Sequence, residues 1–269
     1  MGLHRKLVWA AAGITLADVG CDCRRSPWGA DEYGSSFALV FVRRGCFFRR
    51  ANGVDSLVDP SAVYFERPGD EYQVAHPGDG GDASTLLTLS EGVLASLRGD
   101  ATLPARPVFV PPEVDLAQRR LVALREPVDA SEFVESSLVI AASVLREAVG
   151  RVVGGRRQTQ ARRRRLVAEG RLALHGQPDL GLVELAGRLG VSPYHLSRTF
   201  RLETGLTFSR FRNRLRVRFA LERLAQGEES LTRLAADLGF ADHAHLSRTV
   251  RTETGATPSA LRRLLPVAA

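Results

Sequence analysis

Two rhythms of apolar residues divide this chain. Over residues 13–110 they come as short, β-favouring runs punctuated by turn formers. Phe37-Ala38-Leu39-Val40-Phe41-Val42 stops at Arg43-Arg44-Gly45, and Cys46-Phe47-Phe48-Arg49-Arg50 meets the hairpin signal Ala51-Asn52-Gly53. Val63-Tyr64-Phe65 stops at Arg67-Pro68-Gly69-Asp70. Tyr72-Gln73-Val74-Ala75 runs into the loop His76-Pro77-Gly78-Asp79-Gly80-Gly81-Asp82, and Thr85-Leu86-Leu87-Thr88-Leu89 follows. Runs this short, recurring every ~8–12 residues, predict a small β-sandwich or barrel.

From Val114 the spacing becomes helical. Leu116, Leu121 and Leu124, then Phe133, Leu138, Ile140, Ala141, Val144, Leu145 and Val149, predict two helices parted by Pro127 and packed as an antiparallel pair beside the β-unit. Gly154-Gly155 opens a linker, and the basic run Arg162 through Arg165 stands at the entrance to a final helical region.

Within that region a single unit is written twice. His195-Leu196-Ser197-Arg198-Thr199 returns as His245-Leu246-Ser247-Arg248-Thr249, with Arg201, Glu203-Thr204-Gly205, Thr207 and Ser209 matched by Arg251, Glu253-Thr254-Gly255, Thr257 and Ser259. Upstream, Leu185-Ala186 and Leu189-Gly190 return as Leu234-Ala235 and Leu238-Gly239, so the second copy carries one extra residue between glycine and histidine. In the first copy Leu182, Val183, Leu185, Ala186 and Leu189 predict a short helix ending at Gly190, which suits left-handed backbone. Ser192 caps the next helix and Pro193 opens it. Leu196 and Phe200 then face the core, leaving Tyr194, Ser197, Arg198 and Arg201 outside.

The second copy follows suit. Leu234, Ala235 and Leu238 point inward, Gly239-Phe240 turns, Asp242 caps, and Leu246 and Val250 form the core stripe. His243, Ala244, His245, Ser247, Arg248 and Arg251 populate the rest. Each copy is a helix-turn-helix, whose second helix is the one presented to a major groove. Between them Ser209 to Gln226 predicts a helix of about 27 Å at ~1.5 Å per residue. That length suits two readers about one DNA turn (~34 Å) apart. Arg210, Arg212, Arg214, Arg216 and Arg218 alternate along it and cannot share a face; some are expected at phosphate.

Charge sharpens the division. Residues 156–269 hold 21 arginines, no lysine and 10 acids, net +11, whereas residues 1–155 hold 16 basic and 20 acidic residues, net −4. One end alone is suited to a polyanion. Cys21, Cys23 and Cys46 make neither a disulfide framework nor a four-ligand zinc pattern, and reduced, partly buried thiols are expected. His4-Arg5-Lys6 before Leu7-Val8-Trp9-Ala10-Ala11-Ala12 resembles a short signal peptide, and Gly20-Cys21 a lipoprotein cleavage site. Asp18 stands where such a site wants a small apolar residue, so residues 1–12 are read as a loose segment of a cytoplasmic protein. No apolar run approaches the ~20 residues of a membrane span.

Residues from about 160 to 265 resemble the DNA-binding domain of the AraC/XylS family of bacterial transcription regulators. The resemblance is carried by Gly239-Phe240-x-Asp242, Leu246-Ser247-Arg248, Gly255, Pro258 and Arg262, with Val250 for the usual aromatic and Arg251 for a usual lysine. It implies Tyr194, Ser197 and Arg198, then His243, Ala244, His245 and Arg248, as base-facing residues, with Arg201, Ser247 and Arg251 beside them. Plainer readings stand next to these: Ser197 and Ser247 bond backbone, Arg198 and Arg248 go to phosphate, and His195 packs or caps. The two-residue spacing of His243 and His245 argues against a metal pair. Residues 37–89 are similar to N-terminal domains of the same family, through Arg43-Arg44-Gly45-Cys46-Phe47, Arg67-Pro68-Gly69 and His76-Pro77-x-Gly-Gly-Asp82, which implies a cupin-like sensor. His76 is the lone histidine of the β-unit, so no metal and no other cofactor is expected. Arg49, Glu71, Tyr72 and His76 are the candidate contacts for a small polar effector, although His76 and Asp82 read more plainly as props of their glycine loop.

The expected architecture is a two-domain α+β chain: a β-rich, cupin-like sensor over 1–112, a coupling or dimerising helical segment with linker over 113–155, and an all-α domain with two helix-turn-helix units joined by a long helix over 156–269. The expected function is non-enzymatic, sequence-specific regulation of transcription. Its partners would be promoter DNA, RNA polymerase if the protein is an activator, a small-molecule effector, and a second copy if it dimerises. Two alternatives come from other classes: a cysteine-dependent DNA-alkyl acceptor using Cys21 or Cys23, and a non-specific nucleoid binder.

Overall fold

A computed structural model describes residues 2–99, 102–124, 129–149 and 157–265. The expected break at Pro127 and the Gly154-Gly155 linker lie outside them. The chain separates into two units, residues 1–150 with 263–269, and residues 151–262. In the first, β1 (Leu3–Ala11), β2 (Ile14–Cys21), β3 (Glu32–Tyr33), β4 (Phe37–Arg44), β5 (Phe47–Ala51), β6 (Val54–Val58), β7 (Ala62–Glu66), β8 (Glu71–Ala75) and β9 (Asp82–Leu89) are followed by α1 (Glu91–Arg98), β10 (Val108–Phe109), α2 (Pro112–Ala123) and α3 (Ala130–Val149). The strands form two antiparallel sheets, ordered β1-β2-β9-β4-β7-β10 and β3-β8-β5-β6.

Strand alternation explains why the Phe37–Val42 run is continuously apolar. Leu39 and Phe41 join Val63, Phe65, Leu87 and Leu89 in a core shared with Leu94 of α1, Leu121 of α2, and Phe133, Ile140 and Val144 of α3. Val42, of the opposite parity, packs with Phe47 and Val58 between the sheets. The six-stranded sheet is thus covered on both faces, by helices and by the smaller sheet. A buried polar cluster holds α2 down: Thr85 Oγ1 donates to Gln118 Oε1 at 2.6 Å, Arg119 pairs with Asp115 at 3.1 Å, and Arg119 NH2 donates to the Arg43 carbonyl at 3.0 Å.

Several sequence expectations are corrected. The segment read as loose is a strand from Leu3 to Ala11, paired along the length of β2. The hairpin turns on Ala12 (φ 47°) and Gly13 (φ 77°), both left-handed, and alanine there gives none of the usual Asn-Gly signal. β1 also has exposed Leu3 and Leu7 and basic His4-Arg5-Lys6, so it lacks the alternation of a half-buried strand. Helix α1 stands inside the stretch read as β-structure, capped by Ser90 accepting from the Val93 amide. Leu124 caps α2 and is 38% exposed, outside the apolar stripe assigned to it. Among the described residues, no helix is long and apolar enough to cross a membrane.

The second unit is all-helical: α4 (Arg157–Gly176), α5 (Leu182–Arg188), α6 (Pro193–Thr204), α7 (Phe208–Ala225), α8 (Leu231–Asp237), α9 (His243–Thr254) and α10 (Pro258–Leu264). α7 is its axis. Phe211, Leu215, Val217, Ala220, Leu221 and Leu224 are buried around most of its circumference, so other helices pack on it from several sides. α4, announced in the sequence only by its basic run, packs against α6. A Cβ on Gly170 would stand 3.0 Å from the Phe200 ring, a close approach that glycine permits.

Candidate nucleic-acid interface

In the first helix-turn-helix, α5 ends at Leu189 and Gly190 takes φ +66°. Ser192 then caps α6, its Oγ accepting from the His195 amide at 3.2 Å, and Pro193 occupies the first turn. Leu196 and Phe200 are fully buried. The helical period consequently turns Tyr194, His195, Arg198 and Arg201 outward, with Ser197 at the edge of the packed face. Tyr194 is 75% exposed, unusual for a large aromatic with no partner to cover it.

The second unit reproduces this with one more residue in the turn. Asp242 caps α9, its Oδ1 accepting from the His245 amide at 2.6 Å. That bond holds the Asp242 carboxyl below its ordinary pKa, and the nearby Arg248 charge adds to the effect. Leu246 and Val250 are fully buried, whereas His243, Arg248 and Arg251 are exposed and Ala244 and Ser247 half-buried. His245 is placed differently from His195. Its ring stands edge-on to Phe240, centroids 5.3 Å apart, and its Nδ1 accepts from the Ala241 amide at 3.4 Å. The same pentapeptide position is therefore an exposed side chain in one unit and a brace for the turn in the other.

Arginines in this unit divide into two sorts. Arg163 and Arg164 pair with Glu203, Arg214 with Glu253, and Arg223 and Arg233 with Glu228. Arg212 and Arg216 donate to the carbonyls of Leu180 and Pro178 at 2.9 and 2.8 Å, and burial lowers both pKa values, Arg216 to about 10. Arg218 is buried. Of the five alternating arginines of α7, Arg210 alone is exposed. Against these, the exposed guanidinium groups of Arg198, Arg201, Arg248 and Arg251 have no hydrogen-bond or ion-pair partner among the described residues. α6 and α9 thus carry four exposed, unengaged arginine side chains, with Arg162 and Arg210 as further ones among the described residues of this unit.

The effector candidates in the first unit are only partly brought together. Arg49 is buried in β5, its guanidinium 4.7 Å from the ring centroids of both Tyr64 and Tyr72. Its Nε and NH2 have no hydrogen-bond partner among the described residues. Burial, with nearby carboxylates, raises the pKa of both tyrosines. Glu71 is exposed at the start of β8, while His76 lies past its other end, roughly 16 Å along the strand. His76 Nε2 stands 3.1 Å from Asp82 Oδ2, across the glycine loop. Burial raises the Asp82 pKa, opposed by His76 and Arg44.

Cys21 and Cys23 are buried and joined as a disulfide, which corrects the expectation of reduced thiols for these two; Cys46 is half-buried and outside that disulfide. Spacing alone did not reveal their neighbour. His76, distant in sequence, brings one ring nitrogen within 4.8 Å of both sulfurs.

Residues 185–264 match the family model of a helix-turn-helix domain. None of the curated proteins matches the chain in sequence. Solved structures similar to it include ToxT from Vibrio cholerae, at 12% identity and TM-score 0.40 over 94% of this chain and 99% of that one. The C-terminal domain of AraT, a response regulator from Geobacillus stearothermophilus, is 26% identical over 38% of this chain and 88% of its own length, TM-score 0.36. A transcriptional regulator from Chromobacterium violaceum, described as AraC-type, is 26% identical over 38% of this chain and 94% of its own, TM-score 0.36.

Proposed function

We propose that the protein, whose residues 185–264 match a helix-turn-helix family model, is a transcription regulator of the AraC/XylS type whose two units read promoter DNA together. One observation carries this: both recognition helices present uncommitted arginines, Arg198 with Arg201 and Arg248 with Arg251, while most other arginines of α7 and its surroundings are engaged within the unit. Arg198 and Arg248 are assigned to base edges, where a bidentate guanine contact discriminates by roughly 1–3 kcal/mol. Arg201 and Arg251, a turn further along, are assigned to phosphate. Tyr194, Ser197, His243, Ala244 and Ser247 complete the two surfaces, and His245 acts through the turn it braces.

Domain limits of 1–112, 113–155 and 156–269 belong to this reading, with the first as sensor. Arg49 is its strongest effector contact, because a buried guanidinium with free donors between two aromatic rings suits a small carboxylate or phosphate. Such an effector regulates only if it binds one state of the two-domain chain better than another. The proposed setting is the cytoplasm, with RNA polymerase and a second copy as further partners. Buried Cys21 and Cys23 offer no support to the alkyl-acceptor alternative. Selection of DNA bound by the full chain from a random pool tests the proposal. It expects two unlike half-sites about one helical turn apart; recovery of no motif would establish non-specific binding instead.

A further inference from the structure

Cys21 is the last residue of β2, and Cys23 follows just beyond the strand. Cys21 and Cys23 are 6% and 3% exposed, whereas Asp22 between them is exposed. His76 approaches from the other sheet, anchored by its backbone pairing with Ser26, and is 5% exposed. The three ligand atoms lie within 4.8 Å of one another. Bonds to zinc of ~2.3 Å from sulfur and ~2.0–2.1 Å from nitrogen separate tetrahedral ligands by roughly 3.5–4 Å, so small side-chain adjustments suffice.

The surroundings suit a metal more than a chance meeting of side chains. Asp82 Oδ2, 3.1 Å from His76 Nε2, provides the carboxylate that orients ligating histidines and raises their basicity. Ser26 Oγ, at 3.3 Å from Nδ1, makes only a long contact to the other nitrogen. The Phe47 ring, 6.1 Å from the imidazole, supplies an apolar wall. Gly81 folds the loop tightly over the cysteines: its amide donates to the Cys23 carbonyl at 3.0 Å, and a Cβ there would collide with the Cys21 carbonyl. An open depression lined by Asp22, Cys23, Arg24, Asp79 and Gly80 reaches Cys23 from solvent.

We propose that Cys21, Cys23 and His76, with both thiols reduced, bind one soft metal ion of the zinc or copper(I) kind, with Asp82 as positioning residue. Two thiolates and an imidazole select such ions over magnesium or calcium. The ion would tie the end of β2 to the end of β8, joining the two sheets. This inference is independent of the DNA-binding reading, and its outcome leaves that reading intact.

The test uses the full chain, stripped with chelator, reduced with a phosphine that opens the disulfide, and kept free of oxygen. Zinc titrated against a chromogenic chelator should bind at one equivalent, and saturating zinc should raise Tm by about 5 °C or more. Cobalt(II) as a spectroscopic probe should give a thiolate-to-metal charge-transfer band. Cys21→Ser or Cys23→Ser should weaken binding by at least about 100-fold, and Asp82→Asn by about 10–100-fold. Cys46→Ser should leave it unchanged, and His76→Cys, which supplies another thiolate, should retain it. Absence of stoichiometric uptake or of the charge-transfer band in the reduced wild-type chain would overturn the proposal, without dependence on any variant folding. Undiminished binding by a folded Cys21→Ser chain would overturn it equally.

Discussion

In the first helix-turn-helix, Gly190 turns at φ +66° into open space, with nothing near the position of a Cβ. In the second, Gly239 turns at φ +69° against Asp179, with Arg216 NH2 3.0 Å from where a Cβ would stand. The neighbouring Phe240 receives the Arg216 guanidinium over its ring at 5.3 Å. Arg216 also holds the Pro178 carbonyl, in the connection leading into α5. The turn of the second helix-turn-helix is therefore docked on the segment that leads into α5. One repeated sequence serves two mechanical roles: a turn in open space in one helix-turn-helix, and in the other a turn packed on the segment that leads into α5.

The largest expected effect that separates these turns is steric. Gly239→Ala should cost about 2–4 kcal/mol, because left-handed strain adds to a clash with the Asp179 Cβ. Gly190→Ala should cost only about 1 kcal/mol of strain. Denaturant unfolding of both variants checks this, and equal losses would break the comparison. Next comes DNA binding. Arg198→Ala and Arg248→Ala should each lose about 1–3 kcal/mol of affinity with stability unchanged. Arg214→Ala, which removes the partner of Glu253, should instead lower stability first, so affinity and melting measured together sort the two classes of arginine. A smaller effect belongs to the first unit, where Ser192→Ala should cost about 1 kcal/mol through loss of the α6 cap.

Acid should sharpen the contrast further. Glu228 accepts from Arg223, Arg233 and the Ser230 amide, and these bonds lower its pKa from 4.5 to about 2. Since the folded value lies below the unfolded one, its stabilisation is complete above pH ~4.5 and fades as pH falls towards ~2. The first unit has no counterpart, as α5 starts at Gly181 without a side-chain cap. Hydrogen exchange should show α8 loosening before α5 through that window, and Glu228→Gln should abolish the difference.

What could be read from the sequence was local. The caps Ser192 and Asp242 bond amides three residues away, and the Leu196/Phe200 and Leu246/Val250 stripes repeat with the helical period, so each unit was legible from about twenty residues of text. The glycine-loop partners His76 and Asp82 were near enough to pair by inspection. By contrast, the meeting of Cys21 and Cys23 with His76 depends on β2–β9 register and on the Ser26–His76 bridge, neither of which is encoded by spacing. The β1–β2 hairpin escaped because Ala12 takes a conformation that alanine rarely adopts. The different fates of His195 and His245 follow from Phe240, a residue of the longer turn, and the shared pentapeptide could not distinguish them. Alternation along α7 showed that its arginines diverge. It could not show that Arg212 and Arg216 reach carbonyls on another segment of the unit.

Each helix-turn-helix is proposed to read its own half-site on one duplex. The measurement that tests it most directly is selection of preferred DNA by the wild type, Arg198→Ala and Arg248→Ala in parallel. The expected wild-type site is non-palindromic and spans two successive major grooves, with each variant losing base preference in a different half. Loss of preference at the same positions in both variants, or uniform weakening with the motif intact, would contradict it.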